Sequence, residues 1–318
     1  MSDWVVGVDL GGTKIELGLV DPQDRIIDRR RMPTDQHEGA EAVVERIAQS
    51  VGDLQRSSSE ARRIAALGIC SPGPLDHRTG MLMDPPNLPG LHNTALREML
   101  AERLDLPVRL EHDAKAAALG EFHYGAGRGE SNMVYIVVGT GVGAAIIIDG
   151  KLYRGERNFA GEVGHITLDR TGEVCHCGTR GCAETYMSGP RLARRYQRAL
   201  EQVGQEIPSR EQQAVTGEMV ARLAAQGEPL ASQVMESAGE ALGLIIASMA
   251  MTLNIDLHVV GGSVAKSGDL LLEPARRIVP QYSFQSVGSR VRIVSTECGD
   301  DGPILGCAWL ARQALAQS

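Results

Sequence analysis

Three of the chain's six cysteines and two of its eight histidines lie between Gly161 and Ser188, in GEVGHITLDRTGEVCHCGTRGCAETYMS. Cys175, Cys177 and Cys182 are spaced as C-x-C-x4-C, with His165 upstream of them. Three thiolates and one imidazole make a complete tetrahedral set for Zn²⁺, and a site with four protein ligands is closed and structural. His176 is the rival imidazole, but it sits between two ligand cysteines and would have to fold back onto the metal they share. Gly178 and Gly181 permit the tight turns a chelate needs. Glu162 and Glu184 bracket the ligands, so a metal that folds this loop would also fix two carboxylates suited to holding a polar substrate. The same pair could suggest glycoside hydrolysis, which would leave the metal ligands and the glycine turns without a task. Glu173, in the polar stretch DRTGE, reads as a solvated surface charge.

Elsewhere, Asp9-Leu10-Gly11-Gly12-Thr13-Lys14 joins two strands, so it is neither a Walker loop nor a dinucleotide fingerprint. Its glycines let backbone N–H groups approach phosphate oxygens, and Asp9 could hold Mg²⁺ through water. The turns Gly139-Thr140-Gly141-Val142-Gly143 and Gly261-Gly262-Ser263 offer the same chemistry, and three such strand ends can converge on one nucleotide. Taken singly, each is also simply a tight turn. Asp113 stands between a strand end and a helix start, where a carboxylate can accept a proton from a substrate hydroxyl or else cap the helix. Asn87, in DPPNLPG, is either an amide for a sugar hydroxyl or a turn residue.

The elements that must position these groups read as α/β. Trp4 to Val8, Ile15 to Val20 and Arg25 to Arg31 form a hairpin leading into a third strand. Glu38 to Leu54 has helical spacing, Ile64 to Ile69 is a buried strand, and Val108 to Glu111 is a strand followed by a helix over Ala114 to Phe122. A second strand-glycine-strand unit, Met133 to Val138 and then Ala144 to Ile148, matches the opening one in run length and in its closing Asp149. Two such units roughly 130 residues apart imply a duplicated architecture, one half over 1–124 and the other over 125–303. Leu192 to Leu253 is mostly helical in pattern, and Leu257 to Val260 and Val291 to Ser295 are strands. A C-terminal helix, 304–318, could pack back on either half and is assigned to the first. The loop GAGRGE at 125–130 is the hinge candidate.

Composition narrows the partners. A net charge of -8 and a pI near 5.6 argue against nucleic acid or anionic lipid, which need a basic patch. The start, MSDWVVGVDLGG, has no basic region before its apolar run and does not read as a secretory signal. The longest apolar stretch, Ala241 to Leu253, is expected to be too short to span a bilayer. A cytoplasmic protein is expected, with Cys70, Cys298 and Cys307 reduced and buried.

Together these residues resemble the ROK family of sugar kinases and repressors nearly end to end. The matching pieces are DLGGTK at 9–14, the SPGP and DPPNLPG loops, the E-x-D-A-x-A-A-A-L-G-E start at 111–121, GTGVG at 139–143, GEVGH at 161–165, CHCGTRGCAE at 175–184 and GGS at 261–263. The cysteine motif is the specific one, whereas DLGGT is shared across the actin-like ATPases. The resemblance implies two RNase H-like α/β domains closing on a cleft. It further implies transfer of the γ-phosphoryl of ATP, with Mg²⁺, to a hexose hydroxyl, glucose first among candidates. Mannose, fructose, N-acetylmannosamine and N-acetylglucosamine are the alternatives, as is a sugar-binding protein without catalysis. Asp113 then matches the general base. Asn87, Glu162, His165 and Glu184 match sugar contacts, His165 also being a zinc ligand. Asp9, Gly11, Gly12, Thr13, Lys14, Gly139, Thr140, Gly141, Gly261 and Gly262 match the nucleotide region. The family is usually dimeric or tetrameric. Its repressors carry a DNA-binding domain ahead of the first nucleotide motif, and with eight residues before Asp9 a repressor of that kind is not expected. One departure bears on specificity: the family commonly has Asn-Asp at the base and a second Asn two positions on, whereas this chain has His112-Asp113 and Lys115. His112 is therefore expected at the sugar, and as a larger, titratable group it opens the choice of sugar.

Overall fold

The computed structural model describes residues 3–57, 63–205 and 215–316. The chain divides into two compact units, one made of Met1–Arg128, Arg154–Phe159 and Asp300–Ser318, the other of Gly129–Tyr153 and Ala160–Gly299.

In the first unit the elements run β1 (Trp4–Leu10), β2 (Lys14–Val20), β3 (Ile26–Pro33), α1 (Ala40–Ser57), β4 (Ile64–Ser71), the small pair β5 (Leu75–Asp76) and β6 (Met81–Leu82), α2 (Leu96–Leu104), β7 (Val108–His112) and α3 (Asp113–Tyr124). The five long strands form one sheet in the order β3-β2-β1-β4-β7, antiparallel through the hairpins and parallel from β1 to β7. On one face the apolar stripe of α1, Val43, Val44, Ile47, Val51 and Leu54, packs with Leu96 and Leu100 of α2 against the strands. The C-terminal helix, Gly302–Leu315, belongs to this unit and packs on β1, β4 and α3.

A row of glycines makes that last packing possible. Gly18, Gly7 and Gly68 are register partners across β2, β1 and β4. A Cβ on Gly7 would lie 2.1 Å from the carbonyl oxygen of Ile304, and one on Gly68 would lie 1.8 Å from that of Cys307. Gly120 of α3 and Gly306 of the C-terminal helix repeat the device, with such atoms 2.2 Å from the Gly302 oxygen and 1.8 Å from the Ala116 oxygen. The helix backbone therefore lies directly on the sheet, a distance no side chain would allow.

The second unit repeats the plan. Its elements are β8 (Met133–Val138), β9 (Val142–Ile148), β10 (Lys151–Tyr153), α4 (Glu184–Met187), α5 (Gly189–Gln202), α6 (Gly217–Ala225), α7 (Pro229–Leu253), β11 (Leu257–Gly261), α8 (Asp269–Ile278), α9 (Gln285–Gly288) and β12 (Arg292–Ser295). The sheet order β10-β9-β8-β11-β12, again antiparallel and then parallel, is that of the first unit strand for strand. The expected helical stretch after Leu192 is three helices, α5 to α7, and its residues 206–214 lie outside the described residues. The apolar run at Ala241 corrects an expectation. It continues a 25-residue helix that is long and apolar enough to cross a membrane by length and composition. That helix is mostly buried, and Val234, Leu242, Ile245 and Ile246 pack into the core of this unit.

Candidate functional site

In the first unit the parallel strands deliver their carboxylates to one edge. Register places Asp9 of β1 opposite Cys70 of β4, and Cys70 opposite Glu111 of β7, with Ser71 opposite His112. Asp113 follows as the first residue of α3, where a negative charge is favoured by the helix dipole. It is not the cap: His112 occupies that position, and Asp113 Oδ1 accepts from the adjacent Ala114 N–H at 2.6 Å. The same Oδ1 lies 3.0 Å from His112 Nδ1. Asp9 takes the Cys70 thiol at 3.5 Å. Burial first, and then the nearby charge of Asp113, push the Asp9 carboxyl up to about 6.

The turn after Asp9 is built by Gly11, whose N–H donates to the Lys14 carbonyl at 2.9 Å, and is held by Thr34 through its N–H to Thr13 O and its hydroxyl to Gly11 O. A Cβ on Gly12 would meet the Asn87 carbonyl at 2.6 Å, so the DPPNLPG loop lies directly on this turn and presents Asn87 beside it. Asn87 is exposed. Lys14, expected near nucleotide, is half exposed and pairs with Glu16 at 2.8 Å.

Lys115 points elsewhere. Only 2% exposed, it donates to the Asn158 backbone oxygen at 2.5 Å and to Asn158 Oδ1 at 2.9 Å. Four residues before Asn158, Arg154 pairs with the buried Glu111 at 2.7 Å. These two links tie residues 154–159 into the first unit. Neither Lys115 nor Glu111 was identifiable as a clamp from the sequence, because the partners lie some forty residues away on a loop.

In the second unit the glycine turn between β8 and β9 and the turn after β11 meet. A Cβ on Gly139 would be 3.4 Å from Ser263 Oγ, and Val264 N–H donates to Val138 O at 2.9 Å. Gly262 has φ 95°, and a Cβ there would meet Val138 O at 2.5 Å, so the close approach requires glycine. Gly139 and Thr140, with Ser263 and Val264, form one wall of a cavity of about 870 Å³ whose other walls come from α5, α6 and the start of α8. Pro190, Thr216, Arg222 and Leu270 line those walls and carried no motif by which sequence alone could mark them.

Glu184 opens α4, is 6% exposed, and reaches the same glycine turn: Oε2 accepts the Val142 N–H at 3.0 Å, and a Cβ on Gly141 would lie 3.0 Å from it. Glu162 is exposed at the head of the short turn Val163–His165. His165, Cys175, Cys177 and Cys182 bring one ligand atom each to within 4.8 Å of all the others. Cys175 Sγ is 3.7 Å from His165 Nδ1, and Cys177 Sγ is 3.6 Å from Cys182 Sγ. A tetrahedron with Zn–S about 2.3 Å and Zn–N about 2.0 Å puts its donors about 3.5–3.8 Å apart, so this set fits Zn²⁺. The Thr179 hydroxyl and N–H hold the Cys177 thiol down to about 6, favouring the thiolate a metal needs. His176 is not one of those four; its Nδ1 lies 3.0 Å from Glu184 Oε1 and 3.8 Å from Cys175 Sγ. Two expectations are corrected. Glu173 is partly buried and paired with Arg191 and Arg198 of α5 rather than solvated, and Cys298 is only half buried.

A family model described as ROK family matches residues 5–314. A glucokinase of Halalkalibacterium halodurans is 33% identical over 98% of this chain and 96% of its own. An N-acetylmannosamine kinase of Escherichia fergusonii is 32% identical over 96% of this chain and 98% of its own. The crystal structure of a Streptomyces griseus ROK glucokinase in complex with glucose and AMPPNP is 31% identical and superposes with a TM-score of 0.81 over 98% of this chain and 99% of that one. With the family model spanning both units and the actin-like α/β plan present in each, the chain belongs to the ROK family.

Proposed function

We propose that this protein is an ATP-dependent sugar kinase that phosphorylates glucose at its 6-hydroxyl, with Asp113 as general base. The observation that carries this reading is the state of the Asp113 carboxylate. Oδ1 accepts from the Ala114 N–H and lies 3.0 Å from His112 Nδ1, while Oδ2 accepts from no group among the described residues. The sugar oxygen attacks the γ-phosphorus, its proton passes to Oδ2, and the bond from phosphorus to the ADP oxygen breaks. Positioning and charge neutralisation supply most of the acceleration in such transfers. Asp9 and the Gly11–Thr13 turn belong to the phosphate and Mg²⁺ side, where a bound Mg²⁺ would neutralise phosphate charge. By the resemblance, Asn87 of the first unit, and Glu162, His165 and Glu184 of the second, are the groups matched to sugar hydroxyls.

The 870 Å³ cavity of the second unit is of a size to take an adenosine, with the turns at Gly139 and Gly261 toward the phosphates. His165, Cys175, Cys177 and Cys182 hold a structural Zn²⁺. With Nδ1 toward the thiolates, the His165 ring has Nε2 left for a sugar hydroxyl. Free cysteines at ligand spacing suit the reducing cytoplasm. Relatives of nearly equal identity carry different sugar names, so the acceptor is assigned by assay: ADP release over glucose, mannose, fructose, glucosamine, N-acetylglucosamine and N-acetylmannosamine. Glucose is expected to give the highest kcat/KM. No sugar-dependent ADP release from any member of the panel would refute the kinase reading.

A further inference from the structure

The residue before the base is where this chain departs from its family's usual asparagine, and its surroundings define what it does. The His112 backbone is pinned, its N–H donating to Oε1 of Glu111 at 2.9 Å. Glu111 is itself 1% exposed and paired through Oε2 with Arg154 at 2.7 Å. On the other side the ring lies against the SPGP loop, where a Cβ on Gly73 would come within 2.9 Å of His112 Cδ2 and 3.2 Å of Nε2. Held between these two, the side chain is 27% exposed and brings Nδ1 to 3.0 Å from Asp113 Oδ1.

We propose that His112 is a positioning residue for Asp113: the imidazole, its Nδ1 3.0 Å from Oδ1, flanks that oxygen together with the Ala114 N–H, so that Oδ2 is left for the substrate hydroxyl. The proposal rests on Asp113 being the base. It assigns His112 a role through the carboxylate rather than in direct contact with sugar. The consequence for the departure from asparagine is specific. An asparagine amide nitrogen occupies nearly the place of imidazole Nδ1 and can sit against the same oxygen, whereas a glutamine amide nitrogen reaches to the place of Nε2.

The test is steady-state kinetics with glucose and ATP on His112→Phe, His112→Asn, His112→Gln and Asp113→Asn, with a thermal melt to confirm folding. A carboxylate swung out of line costs about tenfold to a hundredfold in turnover. His112→Phe and His112→Gln are expected to lose kcat by about that factor, with glucose KM moving less than about threefold. His112→Asn is expected to recover most of the loss. A raised KM with kcat retained in His112→Phe would mean a sugar contact and overturn the proposal. So would a His112→Asn variant as slow as His112→Gln. If His112→Phe fails to fold, the Asn and Gln pair decides, both being polar side chains. Asp113→Asn separates the two levels. Normal turnover there removes the base assignment itself, whereas an inactive Asp113→Asn beside a His112→Gln of undiminished kcat removes only the role of His112.

Discussion

At the scale of single residues, Asp9, proposed for the phosphate side, shows how a buried carboxylate works against stability. Its carboxyl is buried and near Asp113, which pushes it up to about 6. With the folded value above the unfolded value near 3.9, the folded state holds the proton more tightly. The stability this contributes is complete below about pH 4 and is lost as pH rises through 6. Above that, ionised Asp9 costs on the order of 2–3 kcal/mol. Asp9→Asn is therefore expected to raise Tm in metal-free buffer at pH 8, to change it little at pH 4.5, and to lower kinase activity at both. Equal stabilisation at the two pH values would show that the charge is not the cause. The places of Asp9 and Asp113 at strand ends, beside a glycine turn and at a helix start, were legible because each is a local pattern, and their roles came from the resemblance. The place of Lys115 was not. It stood out in the sequence only as a lysine where the family commonly has a second asparagine, and only the fold shows the amine buried on Asn158.

Among elements, the cysteine loop was the most legible, because ligand spacing is written in the chain, and the four predicted ligands do converge. Its link to Glu184 through His176 depends on side-chain direction and could not be read. If the loop holds metal, about one Zn²⁺ per chain is expected, and Cys177→Ser should lose it and the solubility of the protein with it. Elemental analysis alongside yield in the soluble fraction checks this; a metal-free wild type of full activity would contradict it. Other elements escaped the sequence for physical reasons. α2 buries only Leu96 and Leu100, too few for a clear stripe. α8 contains Pro274, which reads as a break. β10 is three residues, none buried. The glycine row under the C-terminal helix becomes visible only once β2, β1 and β4 are known to be neighbours in register.

For the molecule as a whole, the duplication was visible in two strand-glycine-strand units, and the two five-stranded sheets have the same order. What periodicity could not show is that residues 154–159 leave the second unit and are bound into the first by Glu111 and Lys115, since that depends on pairs distant in sequence. The resemblance and the structure leave one claim on which the rest depends, that Asp113 takes the sugar proton during transfer from ATP. The most direct measurement is made on Asp113→Asn: glucose affinity by calorimetry together with glucose-dependent ADP release. Removing a positioned general base typically costs about a hundredfold to ten-thousandfold in rate. The account predicts glucose affinity within about threefold of wild type, with ADP release down by at least the lower of those factors. Turnover at the wild-type rate in that variant would contradict it.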